Sequence, residues 1–328
     1  MEFLSADWLG TPAWFWLSFG MIVIALTAFD LGVLHKEDRE MGVRESLILS
    51  AFYIAVAMVF GLWVWIERGP DLGMKYFTGY FIEKALSIDN VFIISLIFGF
   101  FAIPRRYQYR ALLWGILAVI VLRGGMIAAG AALVQEFYWT LYIFAAFLIV
   151  TGIRMLWAAD HEPDIGNNVL VRWLSRHMRI TQKLHGPSFL VRERDAASGK
   201  IVWAATPLLL ALVIINIADI VFAVDSVPAI FAITTDTFIV YTSNIMAILG
   251  LRALYFALAA MVHRFHYLKY ALALVLVFIG AKIFIGDFLT ETGKVPPAFS
   301  LGVTFALILG GVVWSLWKTR KDEQAEAQ

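Results

Sequence analysis

The sequence predicts an all-α, polytopic membrane protein, and three observations carry that reading. Of its 328 residues 61% are hydrophobic and 16% charged, where soluble domains carry about 25% charged residues. The apolar residues gather into runs of about 20, the length that spans the hydrocarbon core as a helix. Lys and Arg alternate between a rich and a poor side from loop to loop, as membrane insertion dictates.

Nine spans follow in order. The first covers about Ala13 to Leu34. The preceding "MEFLSADWLG" has neither the basic n-region nor the small-residue cleavage site of a signal peptide, so this run is expected to stay in the chain. The second, Ser46 to Ile66, lies between Arg44 and Arg68. The third, Met74 to Phe101, holds "FIEKALSIDNVFIISLIF", apolar enough for a membrane yet carrying Glu83, Lys84, Asp89 and Asn90. The fourth, Ala111 to Gln135, follows Arg105, Arg106 and Arg110, and the fifth, Phe137 to Trp157, closes near Arg154. The sixth, Pro207 to Ala232, brings acids back in "NIADIVFAVDSVPAIFAI". Phe238 to Val262, Tyr267 to Ile285 and Phe299 to Trp317 complete the set. The tryptophans of "WLGTPAWFW", "WVWIERG" and "EFYW" fall at span ends, where they form an interfacial belt.

Loops on one side carry 18 Lys and Arg residues, and those on the other carry only Arg68, Lys75 and Lys294. This bias places the N-terminus outside and the C-terminus in the cytoplasm of a bacterial inner membrane. Residues 158–206 form the cytoplasmic loop. Within it "VLVRWLSRHMRI" sets Leu170, Trp173, Leu174 and Met178 along one side and Arg172, Arg176 and Arg179 along another, as an interfacial helix would. "FLVRERDAASGKIVW" alternates about Ser198-Gly199 as a hairpin.

The two acid-bearing spans share a pattern. Glu83, then Asp89-Asn90-Val91, recurs as Asp219, then Asp225-Ser226-Val227. The next helix of each set carries an arginine, Arg123 in "VIVLRGG" and Arg252 in "ILGLRAL". The third helices end in Gly152-Ile153-Arg154 and Gly280-Ala281-Lys282. Residues 74–157 and 207–285 therefore read as two copies of a three-helix unit. Three is odd, so the second copy enters the membrane from the opposite side. Inverted repeats place a binding site near the midplane at their interface.

A carboxylate at a helix centre costs about 2.5 to 3.5 kcal/mol, so four left unpaired would cost on the order of 10 kcal/mol. Glu83, Asp89, Asp219 and Asp225 must be paired, protonated or bound to a cation. Lys84, Arg123 and Arg252 are the candidate counter-ions, with a possible gating role. The symmetric placement favours an ion path, with Asn90, Ser226, Asn216 and Asn244 as accessory oxygen donors. The six histidines, His35, His161, His177, His185, His263 and His266, fall at loops or helix ends, so the donor set is oxygen only and suits Mg²⁺, Ca²⁺ or Mn²⁺. Six residues advance a helix by about 600°, so Glu83 and Asp89 do not share a face. Either one acid of each pair serves as relay or counter-ion, or the helix breaks between them. Pro228 frees the Val224 carbonyl and would place such a break beside Asp225. Asp30, near the inner end of the first span, is either a solvated helix end or a cation vestibule.

Several classes drop out. The net charge of +1 offers no field for nucleic acid. With no cysteine, the chain has no disulfide or thiol chemistry of its own, and no GxxxxGK[ST] stretch binds ATP.

On "IEKALSIDNVF", "ADIVFAVDSVPAI", "FDLGVLHK" and the nine-helix layout, the sequence resembles the TerC-like integral membrane proteins, Alx-type branch. That resemblance implies manganese homeostasis by Mn²⁺ export, with associations to tellurite resistance and alkaline response, and it assigns the acidic positions to Glu83, Asp89, Asp219 and Asp225. The resulting expectation is a secondary transporter, not an enzyme, with no prosthetic group, Mn²⁺ as its ion and the lipid bilayer as its surroundings. A membrane-embedded assembly protein that delivers metal to exported metalloproteins, and an exporter of Ca²⁺ or of Na⁺ against H⁺, stay open as alternatives.

Overall fold

The computed structural model describes residues 6–33, 42–157, 173, 179–181, 184–194, 201–259, 265, 267–289 and 295–326. Apolar runs in lipid must satisfy their backbone groups internally, and these become helices: α1 (Ala13–Val33), α2 (Val43–Arg68), α3 (Pro70–Phe100), α4 (Arg105–Glu136), α5 (Thr140–Trp157), α6 (Pro207–Phe231), α7 (Thr237–Leu249), α8 (Leu251–Leu258), α9 (Leu268–Leu289) and α10 (Pro297–Glu326). Two small antiparallel hairpins accompany them, β1 (Asp7–Trp8) with β2 (Thr11–Pro12) and β3 (Leu190–Arg194) with β4 (Ile201–Ala205). The second is the hairpin expected from alternation. Its Ser198-Gly199 turn, and most of the interfacial helix expected in the same loop, lie outside the described residues.

Among the described residues seven helices, α1, α2, α4, α5, α6, α9 and α10, are long and apolar enough to cross a membrane. An eighth crossing results if α7 and α8, bent by 40° at Gly250, are one span. The 31-residue α3 stays out of that count because it carries Asp71, Lys75, Glu83, Lys84 and Asp89. Large apolar side chains such as Ile24, Val59, Val121 and Val150 point outward from the bundle, the surface a lipid-embedded protein presents.

Local signals set the helix ends. Gly69 takes φ +89°, a backbone conformation open to glycine, and turns α2 into α3 within one residue, with Pro70 in the first turn. The Thr206 hydroxyl caps α6 and the Asp236 carboxylate caps α7 through Ile239 N at 3.0 Å. Asp236 also binds Arg68 at 2.9 Å, which ties α7 to the end of α2. The break that Pro228 would allow beside Asp225 does not occur. The proline lacks the N–H that would bond the Val224 carbonyl, yet the helix runs through it to Phe231. The break falls instead at Gly250, between α7 and α8.

The helices α3, α4, α6 and α7 form the centre, with α2 against α3 and α8, and α10 against α9 and α3. α9 lies along α5 with close backbone approach. A Cβ built on Gly152 would fall 2.7 Å from the Ala273 carbonyl oxygen, and one on Gly280 would fall 2.5 Å from that of Ala145. Each glycine faces the helix turn just ahead of the other.

Candidate functional site

Arg123 on α4 is 1% exposed and stands where α3, α4, α6 and α7 meet. It grips Asp219 with two parallel hydrogen bonds, Nε to Oδ2 at 3.0 Å and Nη2 to Oδ1 at 2.8 Å, the forked geometry that suits guanidinium to carboxylate. Its Nη1 forms an ion pair with Glu83 and donates to Ser226 Oγ at 3.1 Å and Asn244 Oδ1 at 3.4 Å. Asn244 returns a donor to Glu83 Oε2 at 2.9 Å, and Asn90 Nδ2 lies 3.5 Å from Asp219 Oδ1. Glu83 and Asn90 are seven residues apart, as are Asp219 and Ser226. Seven residues make two turns, so each pair lies on one helix face, and the two faces close on Arg123 from opposite sides.

Asp89 and Asp225 point elsewhere, as the rotation over six residues requires. They line one cavity of about 340 Å³ with Thr151, Arg154 and the rims of Arg123 and Ser226. The Thr151 hydroxyl hydrogen-bonds Asp225, Arg154 acts on Asp225 electrostatically, and Lys269 acts on Asp89. The four acids thus form two pairs: one closed on an arginine, the other facing a cavity. Among the described residues no three acids or histidines gather closely enough to hold a metal ion between them.

The other candidates separate, and several pairings differ from expectation. Arg252 does not join the four acids. It is fully buried and pairs with Asp30 of α1, which also accepts the Tyr53 hydroxyl, while the guanidinium sits 4.3 Å from the Tyr109 ring centroid. Asp30 is therefore not a solvated helix end. It is 7% exposed, held by α8 and α2. Lys84 donates to the Ala247 carbonyl at 3.1 Å, where the end of α7 concentrates negative partial charge, and acts on Glu83 electrostatically. Asn216 bonds its own helix through Leu212 O at 2.8 Å and stays out of the cluster. Of the histidines, only His185 falls among the described residues, 3.3 Å from Glu193.

The sequence does not single out Thr151, Tyr53 or Tyr109, and Arg154 enters there only as the basic residue that ends a repeat helix. Thr151, directly before Gly152 in the Gly-x-basic ending, is the one available hint.

The profile of the "Integral membrane protein TerC family" matches residues 68–323. This chain belongs to the TerC family. Proteins similar to it include an uncharacterized membrane protein of Rickettsia bellii, 44% identical over 92% of this chain and 96% of that one. One from Myxococcus xanthus is 44% identical over 97% of both. A third, from Salmonella typhi and named a putative membrane-bound redox modulator Alx, is 40% identical over 98% and 99%. No solved structure matches the chain significantly. The TerC match begins at the end of α2, so Asp30, which holds Arg252, and Tyr53, which donates to Asp30, come from ahead of it.

Proposed function

We propose that this TerC-family protein is a secondary transporter that exports a hard divalent cation, Mn²⁺ foremost, across the bacterial inner membrane, and that it is a carrier, not an enzyme. The observation that carries the reading is the cavity holding Asp89 and Asp225 beside an arginine already clamped by Glu83 and Asp219. Four carboxylates face Arg123, Arg154 and Lys269, with Lys84 acting on Glu83, so the formal charges around the cavity balance. A divalent cation binds there by taking the place of basic partners at Asp89 and Asp225. The available donors, Asp89, Asp225, Thr151, Ser226 and Asn90, are all oxygen, the ligand type that Mn²⁺ and Ca²⁺ prefer to softer metals.

In this reading Asp89 and Asp225 take the ion first. Arg123 then acts as a built-in placeholder cation whose release from Glu83 and Asp219 completes the ligand set. Alternating access follows from rocking of two halves, residues 74–157 and 207–285, within a nine-span chain whose C-terminus is cytoplasmic. Two features support the inverted repeat. The Gly152 and Gly280 contacts are reciprocal, as a twofold axis between antiparallel α5 and α9 requires. Arg123 on α4 binds Asp219 on α6, while Asn244 on α7 binds Glu83 on α3, so the mirrored partner of Arg123 is Asn244 and not Arg252. The redox label carried by some relatives finds no thiol here, since the chain has no cysteine.

The test is Mn²⁺ flux in proteoliposomes containing this protein alone. Flux that Zn²⁺ leaves unaffected supports the proposal. Mn²⁺ binding without turnover would replace it with the metal-delivery reading, and flux of Ca²⁺ or Na⁺ in place of Mn²⁺ would reassign the ion.

A further inference from the structure

A second cavity, of about 440 Å³, opens at the end of the bundle where α3, α5 and α10 begin and α6 and α9 end. Its chemistry is opposite to that of the acid-lined site. Lys75 of α3 and Lys282 of α9 both line it and act on one another electrostatically. Lys75 binds Asp71 at 2.5 Å, but among the described residues Lys282 has no acidic partner. Thr78, Thr234 and Tyr142 add hydroxyl groups to the wall.

Ser300 makes the arrangement more specific. It lines the same cavity and is 3% exposed, and its Oγ has no hydrogen-bond partner. A buried hydroxyl left without a partner forfeits the hydrogen bond it would make in water, a loss that a ligand in this cavity would recover. Ser300 sits in the first turn of the 30-residue α10, and Val295, Pro296 and Pro297 bring that helix start to the cavity wall. The Ser300 N–H is taken by the Pro296 carbonyl at 3.2 Å and the two prolines have none, so this helix start adds the positive end of its dipole to the wall, not free N–H donors.

We propose that this cavity binds a phosphate-type oxyanion, with Lys282 as its charge partner and Ser300 Oγ as hydrogen-bond donor. The group comes either as a free ion or on a lipid headgroup, since the cavity lies at a bundle end where headgroups reach. Its lysine lining sets this site apart from the acid pair, and the proposal stands independently of the transport reading.

Two binding measurements on the full-length protein decide it. In lipid-free detergent, inorganic phosphate is titrated against chloride at matched ionic strength and followed by thermal shift. In parallel, nanodiscs of phosphatidylglycerol or of phosphate-free glucosyldiacylglycerol are compared by native mass spectrometry for retained lipid. Lys282→Gln should weaken whichever ligand binds by about tenfold, the loss expected for one charge-assisted hydrogen bond, while Lys282→Arg keeps it. Binding of free phosphate identifies the soluble ion, and retention of phosphatidylglycerol alone identifies the headgroup. The proposal is overturned if wild type binds neither, or if Lys282→Gln binds both as wild type does. Should Lys282→Gln fail to fold, unchanged binding by Ser300→Ala overturns it equally, and weakened binding sustains it.

Discussion

At Arg123 one guanidinium neutralises parts of two carboxylates, so the outcome of a substitution depends on which partner is removed. Arg123→Gln leaves Glu83 and Asp219 facing each other in the buried centre, and breaking a buried pair this way costs about 3 to 5 kcal/mol. Thermal unfolding of the purified protein should show that loss, and adding Asp219→Asn should recover part of it. If Arg123→Gln unfolds at the wild-type temperature, the cluster does not hold the bundle together. Asp89 and Asp225 behave differently because neither is clamped by an arginine. Asp89→Asn and Asp225→Asn should lower Mn²⁺ flux by at least about tenfold, the loss of one charged contact, with little change in unfolding temperature. A variant that keeps full flux would remove its residue from the ion path. At this scale the sequence reveals which residues matter better than it reveals their partners. The seven-residue spacings mark Glu83, Asn90, Asp219 and Ser226 because helical periodicity is local. The pairing of Arg252 with Asp30 joins residues 222 apart in the chain, and no periodicity reports that.

Among the elements, α5 and α9 depend on small residues instead of polar contacts. Replacing Gly152 or Gly280 with leucine would drive a side chain into a carbonyl oxygen of the facing helix. Each substitution should destabilise by about 1 to 3 kcal/mol, as overpacking does, read as a lower unfolding temperature. Unchanged stability in both would mean that α5 and α9 separate without cost. The α7–α8 bend at Gly250 is bordered by two polar attachments, Lys84 on the Ala247 carbonyl and Arg252 on Asp30. The sequence points to the proline for any break because Pro228 is the more visible helix breaker. The observed break needs tertiary contacts from α1, α2 and α3 to hold it, and these cannot be read from α7 and α8 alone.

For the molecule as a whole, hydropathy and the Lys/Arg bias were enough to establish a polytopic helical protein, since both arise from the bilayer and not from packing. The nine-span layout has its own check. The chain has no cysteine, so single cysteines at the C-terminus and in the loop of residues 158–206 report sidedness to an impermeant thiol reagent without background. Both should be shielded in intact cells, and labelling of one but not the other would remove the nine-span arrangement and its inverted repeat together. The close fit of α5 to α9 also sets a timetable for biogenesis. α5 ends at Trp157 and α9 begins at Leu268, so translation at about 5 to 20 residues per second leaves α5 in the bilayer for several seconds to some twenty seconds before its main partner exists. During that interval its glycine-bearing face is open to lipid, or to whatever membrane chaperone or protease inspects unassembled helices. A chain stopped after α8 should therefore be cleared far faster than one stopped after α9.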